Sequence, residues 1–375
     1  MTKRRFRAGV IGLLSLLATP ALAQLSQTDL LQGLDQEFRL ALNKAKVPGG
    51  AYAVVQNGRI VFTGAYGVRE VGKPDKVDAD TVFRLASVSK TFTGGLTVLA
   101  SQQGRLKLNA PLAHYVPGFQ LGSERDTKAL TVDHVVSQAS GVMPHAFENL
   151  LEDNQTPEQI LPRFKLLKTS CTPGRCYSYQ NILFGLLEQA LQHSTGLPYP
   201  DLLQQRILGP LKMQTASVGY AGFLATQNKA MPHHRAGKGW RPEQVKPNFY
   251  WVSPAAGINA SATDLAKYLL AMLGHQPKVF SPQALDELRS PAVKVANKPR
   301  WPVWEQYKKV STWYGRGWRM VQYDNHRLFY HGGVVDGYRP YIAYSPEKDI
   351  GLVLLTNAEA DVTGKVAKWF WGEVL

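Results

Sequence analysis

The sequence predicts an α/β fold of the α+β kind: an antiparallel sheet flanked by helices and built from both chain ends, with a mostly helical lobe inserted between them. Two observations predict it. Strand-like apolar runs cluster near the two ends of the chain, and the stretch between them carries helical periodicity. Strands at both ends imply that the terminal segments share one sheet, about 26–85 and 310–375. The middle, about 86–309, then forms the second lobe, with a cleft between the two.

Residues 1–23 read as a secretory signal peptide. Lys3, Arg4, Arg5 and Arg7 make a positive start, Ala8 to Leu17 an apolar core, and Ala21-Leu22-Ala23 a small-residue cleavage site. The core is shorter than the ~20 residues a spanning helix needs, so the expected product is an exported, periplasmic or secreted protein of residues 24–375 with no stable membrane span. A retained N-terminal anchor is the alternative. Leu30, Leu34, Phe38 and Leu42 recur every four residues behind Ser26 and Thr28, which predicts an amphipathic helix. Ala51 to Val55 and Ile60 to Tyr66, separated by Asn57-Gly58, predict a hairpin.

Helices are expected over Thr91 to Gln103, Thr131 to Gln138, Ile182 to Gln192, Leu202 to Ile207 and Ala262 to Leu273. The Gly94-Gly95 pair inside the first of these costs helix propensity, so another backbone is expected to pack closely there. Residues 219–249, rich in proline, read as an irregular excursion, with His233 and His234 in a surface loop. Tyr314 to Tyr323, Arg327 to Tyr330, Tyr338 to Tyr344 and Ile350 to Leu355 are strand-like, with turns at Asp324-Asn325 and Pro346-Glu347. Val362 to Val374 closes the chain as a helix whose Trp369, Phe370 and Trp371 are expected to pack in the core.

The chain carries 43 Lys and Arg against 28 Asp and Glu, and removing the four leader cations from its formal +15 leaves +11. No Lys/Arg block or zinc-finger spacing accompanies that charge, which argues against nucleic acid as a partner. The two cysteines stand in Cys171-Thr172-Pro173-Gly174-Arg175-Cys176. In an oxidising compartment the Pro-Gly turn favours a disulfide contributing about 2 kcal/mol; two reduced thiols are the alternative, and a zinc site lacks a second ligand pair.

Ser87-Val88-Ser89-Lys90 carries the chemistry. On a helix, Ser87 and Lys90 share one face a turn apart, so an amine can take the hydroxyl proton and make a nucleophile without a histidine base. A second Ser-x-x-Lys, Ser345 to Lys348, lies between two strand-like runs and contains a proline. It reads as a turn. The chain has no G-x-S-x-G nucleophile elbow, and neither H-x-H nor H-E-x-x-H, so no metal or organic cofactor is expected.

These residues resemble the serine β-lactamase-related family of class C β-lactamases, D-Ala-D-Ala carboxypeptidases, D-aminopeptidases and related esterases. The resemblance rests on five segments in the family's order: Phe83 to Lys90, Leu130 to Val142, Pro173-Gly174 with Tyr179-Gln180-Asn181, Gly257 to Ala266, and His331-Gly332-Gly333. It implies a β-lactamase/transpeptidase-like fold, Ser87 as acylated nucleophile, Lys90 as its proton partner, and Tyr179 between serine, lysine and leaving group. It also implies substrate contacts from Asn181, His331, Gly332 and Gly333, and an oxyanion hole of the Ser87 and Val334 main-chain N–H groups. β-Lactamases of the family usually carry Lys where His331 stands, so peptidase or esterase action is favoured over β-lactam hydrolysis. The substrate is expected to be a small molecule or peptide, peptidoglycan fragments included. The alternative is a catalytically idle cell-wall or penicillin-binding receptor using the same cleft.

Overall fold

The computed structural model describes residues 26–295, 310–323 and 325–375; the expected leader and Asp324 of the expected turn lie outside the described residues. Helix α1 (Gln27–Ala45) begins where the Ser26 hydroxyl accepts the Asp29 N–H, and it buries Leu30, Leu34, Phe38 and Leu42. Strands β1 (Gly49–Gln56) and β2 (Arg59–Gly67) follow as the expected hairpin. Asn57 and Gly58 both take positive φ at its tip, the backbone that matches strand twist in a two-residue turn.

Helix α2 (Ser89–Gln102) lies at the centre of the molecule, and helix α3 (Ala262–Leu273) starts at a cap formed by the Ser261 hydroxyl. The other strands of the main sheet are β3 (Val293–Lys294), β4 (Val310–Tyr314), β5 (Arg319–Tyr323), β6 (His326–Gly332), β7 (Tyr341–Ser345) and β8 (Ile350–Thr356), and helix α4 (Val362–Val374) follows them. They make one eight-stranded antiparallel sheet in the order β2-β1-β8-β7-β6-β5-β4-β3. The chain ends meet where β1 pairs with β8, Tyr52 opposite Leu354.

Both faces of this sheet are covered, as the period-two alternation of β1 shows. Tyr52 and Val54 join the apolar layer under α1 and α4, while Ala51, Ala53 and Val55 join the larger core that contains α2 and α3. Phe370 and Trp371 are buried in the first layer, and the Trp369 ring lies where a Cβ on Gly33 of α1 would be, 2.7 Å away. The aromatic cluster is packing.

Three sequence expectations need correction. The run Tyr314 to Tyr323 is two strands, because residues 315–318 turn inward against α2. Cβ atoms built on Gly94 and Gly317 would stand 2.1 Å from the carbonyl oxygens of Arg316 and Lys90 respectively, so the expected close approach at Gly94 is this turn. Residues 219–249 are more regular than expected, with a helix at Gly219–Ala225 and a hairpin of His233–Ala236 with Gly239–Pro242. His233 is no surface residue: it is buried, with Nε2 accepting the Val71 N–H at 3.0 Å and Nδ1 donating to the Asn357 carbonyl at 2.9 Å. The second Ser-x-x-Lys is a 3₁₀ turn, Pro346–Lys348, between β7 and β8.

Candidate active site

Ser87 sits in a single 3₁₀ turn, Ala86–Val88, that runs directly into α2. Ala86 holds φ at +45°, a left-handed conformation that costs a non-glycine residue about 1–2 kcal/mol. The turn is therefore held by its surroundings. Gly333, just after β6, is what it rests against: a Cβ there would lie 2.7 Å from Ala86 Cβ and 3.0 Å from the Ser87 nitrogen. The absent side chain leaves room for the Ser87 turn itself. Gly333→Ala is expected to destabilise the fold by about 1–3 kcal/mol and to slow acylation, read as a lower melting temperature and slower covalent labelling of Ser87. An unchanged labelling rate would show that this contact does not set the serine.

Lys90 is fully buried, and its Nζ donates to Ser87 Oγ at 3.2 Å, Asn181 Oδ1 at 2.5 Å and the Ala255 carbonyl at 3.0 Å. Burial holds the amine well below the ordinary lysine value; Glu148 opposes the shift and Arg319 reinforces it. A neutral amine keeps two of these donor bonds and turns its lone pair to the serine hydroxyl. From the other side the Tyr179 hydroxyl donates to Ser87 Oγ at 2.8 Å. Burial drives that phenol above the ordinary tyrosine value, although Arg319 and the serine bond pull it back. One group is thus pushed towards accepting a proton and the other towards keeping one.

Asn181 lies at the start of a short helix, Asn181–Gly185, and both ends of its amide are engaged. Its Oδ1 accepts from Lys90 while its Nδ2 donates to Glu148 Oε1 at 2.9 Å. Glu148 in turn holds His145 Nδ1 at 2.9 Å, and this bond raises the His145 pKa. Glu148 was not legible in the sequence, because an acidic residue in a five-residue helix carries no motif. Glu148→Gln keeps an acceptor for Asn181 but removes the negative charge that supports protonated Lys90. Its effect therefore has a definite sign: the lysine pKa falls, so the acid limb of the kcat/KM profile moves to lower pH. A limb that stays in place or moves up would disprove the link.

A cavity of about 1250 Å³ opens over these groups, lined by Ser87, Tyr179, Asn181 and Glu148 on one wall and by Arg319 and Gly332 to Val335 on the other. Among the described residues, the main-chain N–H groups of Ser87 and Val334 have no hydrogen-bond acceptor, and Val334 is exposed at the cavity. His331 does not face this space. It is 1 % exposed, with Nε2 bonded to the Tyr314 hydroxyl at 3.0 Å and Nδ1 to the Gly332 carbonyl at 2.8 Å. Burial holds its ring well below the ordinary histidine pKa, with Arg319 and Lys90 adding to the effect. The expected direct contact between His331 and substrate is replaced by a neutral ring behind Tyr314. Cys171 and Cys176 are joined as a disulfide on the loop before Tyr179, and Cys176 lines the cavity.

A family model described as Beta-lactamase matches residues 31–374, nearly the whole described chain. The chain belongs to the beta-lactamase family. This beta-lactamase-family chain is 25 % identical over 346 residues to Protein flp of Staphylococcus aureus (strain N315), covering 91 % of the chain but 66 % of that relative, so it spans just under two thirds of the relative's length. It is 26 % identical over 351 residues to a Beta-lactamase of Pseudomonas fluorescens, covering 88 % of the chain and 94 % of the relative. Its fold is that of the octameric penicillin-binding protein homologue from Pyrococcus abyssi, with a TM-score of 0.77 at 23 % identity over 91 % of this chain and 77 % of the other. Membership supports serine hydrolase-type activity in general terms. Among the described residues no helix is long and apolar enough to cross a membrane.

Proposed function

We propose that the protein is an exported serine hydrolase that carries an acyl group on Ser87 and hydrolyses an amide or ester of the peptidase or esterase type. One observation carries this reading: Ser87 Oγ lies within hydrogen-bond distance of both the Lys90 amine and the Tyr179 hydroxyl, whose burial moves their proton affinities in opposite directions. Neutral Lys90 takes the serine proton as Oγ attacks the carbonyl. The Ser87 and Val334 N–H groups hold the oxyanion that develops. As the tetrahedral intermediate collapses, the Tyr179 phenol protonates the leaving group and recovers its proton from Lys90. Water then attacks the acyl carbon, its proton returns through the same pair, and Ser87 Oγ leaves as the hydroxyl. An idle receptor has no need of a lysine stripped of water against a serine.

Export is supported by the leader-like residues 1–23 and fits the Cys171–Cys176 disulfide, a bond that persists in oxidising compartments. The reading is tested by labelling with a fluorescent fluorophosphonate, followed by turnover of p-nitrophenyl esters, D-amino-acid amides, D-Ala-D-Ala peptides and nitrocefin. Labelling of Ser87 with ester or amide turnover is expected. An unlabelled protein that still binds penicillin would establish the receptor instead.

A further inference from the structure

Resting on Ser87 as the nucleophile, we propose that Arg319 is the specificity-determining residue of this site and binds a carboxylate carried by the leaving group of the substrate. Arg319 opens β5, paired with Tyr314 on one side and Tyr330 on the other. Its guanidinium carbon lies 5.3 Å from the Tyr179 ring centre, 5.5 Å from that of Tyr314 and 5.7 Å from that of Tyr177. The aromatic rings fix its position by cation–π attraction without neutralising it. Among the described residues it forms no ion pair with a carboxylate, whereas Arg339 across the cavity is held by Asp361 at 3.1 Å and by the Glu359 carbonyl at 3.0 Å.

The other described cations that line the cavity, Arg175 and Lys294, are exposed. Arg319 is only partly so, and its desolvated fork is the geometry that takes a carboxylate through two parallel bonds. Among the described residues no carboxylate neutralises it, which leaves it available to an anion carried by the substrate. Of the four carboxylates that line the cavity, Glu148 is occupied by Asn181 and His145, Asp336 by Arg84 and Glu359 by the Gly337 N–H. Glu152 is exposed, and none of the four forms an ion pair with Arg319. Tyr179 defines the side of the scissile bond, since the ring that Arg319 packs against carries the hydroxyl that points at Ser87 Oγ. A leaving group protonated by that hydroxyl passes beside Arg319. His331, neutral and buried, cannot provide this charge.

The test compares two acetyl esters with nearly identical leaving groups, 3-acetoxybenzoate and 3-acetoxybenzamide, in the full-length protein. The wild type is expected to favour the carboxylate by about tenfold or more in kcat/KM, the worth of one charge-assisted pair. That ratio should shrink with added salt and fall to near one in Arg319→Gln, while Arg319→Lys retains part of it. Fluorophosphonate labelling of each variant reports whether the site has folded. If Arg319→Gln does not label, the wild-type ratio and its salt dependence decide alone. A wild-type ratio near one, or an unchanged ratio in a labelled Arg319→Gln, overturns the proposal. Failure of the wild type to label at all would remove the nucleophile assignment instead, so the two failures are distinct.

Discussion

Ser87→Ala is expected to abolish covalent labelling and to lower turnover by roughly 10⁵-fold or more, because the acyl-enzyme has no other oxygen to form on. The fold should survive. Lys90 keeps Asn181 and Ala255 as acceptors, and the loss falls on the Tyr179 hydroxyl, about 1 kcal/mol for one partner removed. The paired control is Ser345→Ala. Ser345 is buried at the end of β7, and its hydroxyl makes a 3.4 Å contact with Glu347 in a turn that holds no part of the cavity. Labelling and turnover should be unchanged there. Activity that persists in Ser87→Ala and vanishes in Ser345→Ala would reverse the assignment.

Lys90→Ala and Tyr179→Phe are each expected to lower kcat/KM by about 10²–10⁴, the usual worth of a positioned proton-transfer group. Their effects should not add. Both act on the same oxygen, so the double variant should resemble the worse single variant. Melting temperatures separate chemistry from folding. Tyr179→Phe keeps the ring that stacks beside Arg319 and loses one hydroxyl, whereas Lys90→Ala empties a fully buried volume and should cost more stability. Near-normal turnover in both would sink the proton route through Ser87 Oγ.

Much of the fold was legible because its signals are local. Ser26 caps α1, Asn57-Gly58 makes the hairpin, and the α3 bounds match the expected Ala262 to Leu273. The Ser-x-x-Lys pair is equally local, since three residues on a helix are neighbours whatever the rest of the chain does. Its false copy was separable on the same ground, a proline between two strands. The misreadings occur where packing overrides pattern. Tyr314 to Tyr323 reads as one strand-like run, and the close packing of Arg316 and Gly317 against α2 divides it. His233 looks like a loop residue until Val71 and Asn357 close on its ring.

The sequence by itself determined the family and the fold class and singled out Ser87 and Lys90 as the candidate pair, all of which follow from short spacings or from the family's pattern of segments. The tertiary structure decided the charge of the site. Burial of Lys90, Tyr179 and His331 depends on strands and helices far apart in the chain, and desolvation acts on a group only once those elements have met. Glu148 reaches Lys90 through Asn181, and Arg319 reaches Tyr179 from the sheet, across separations no local spacing encodes. Folding likewise brings Arg319 of β5 to the cavity wall while the His331 side chain of the motif is buried away from it.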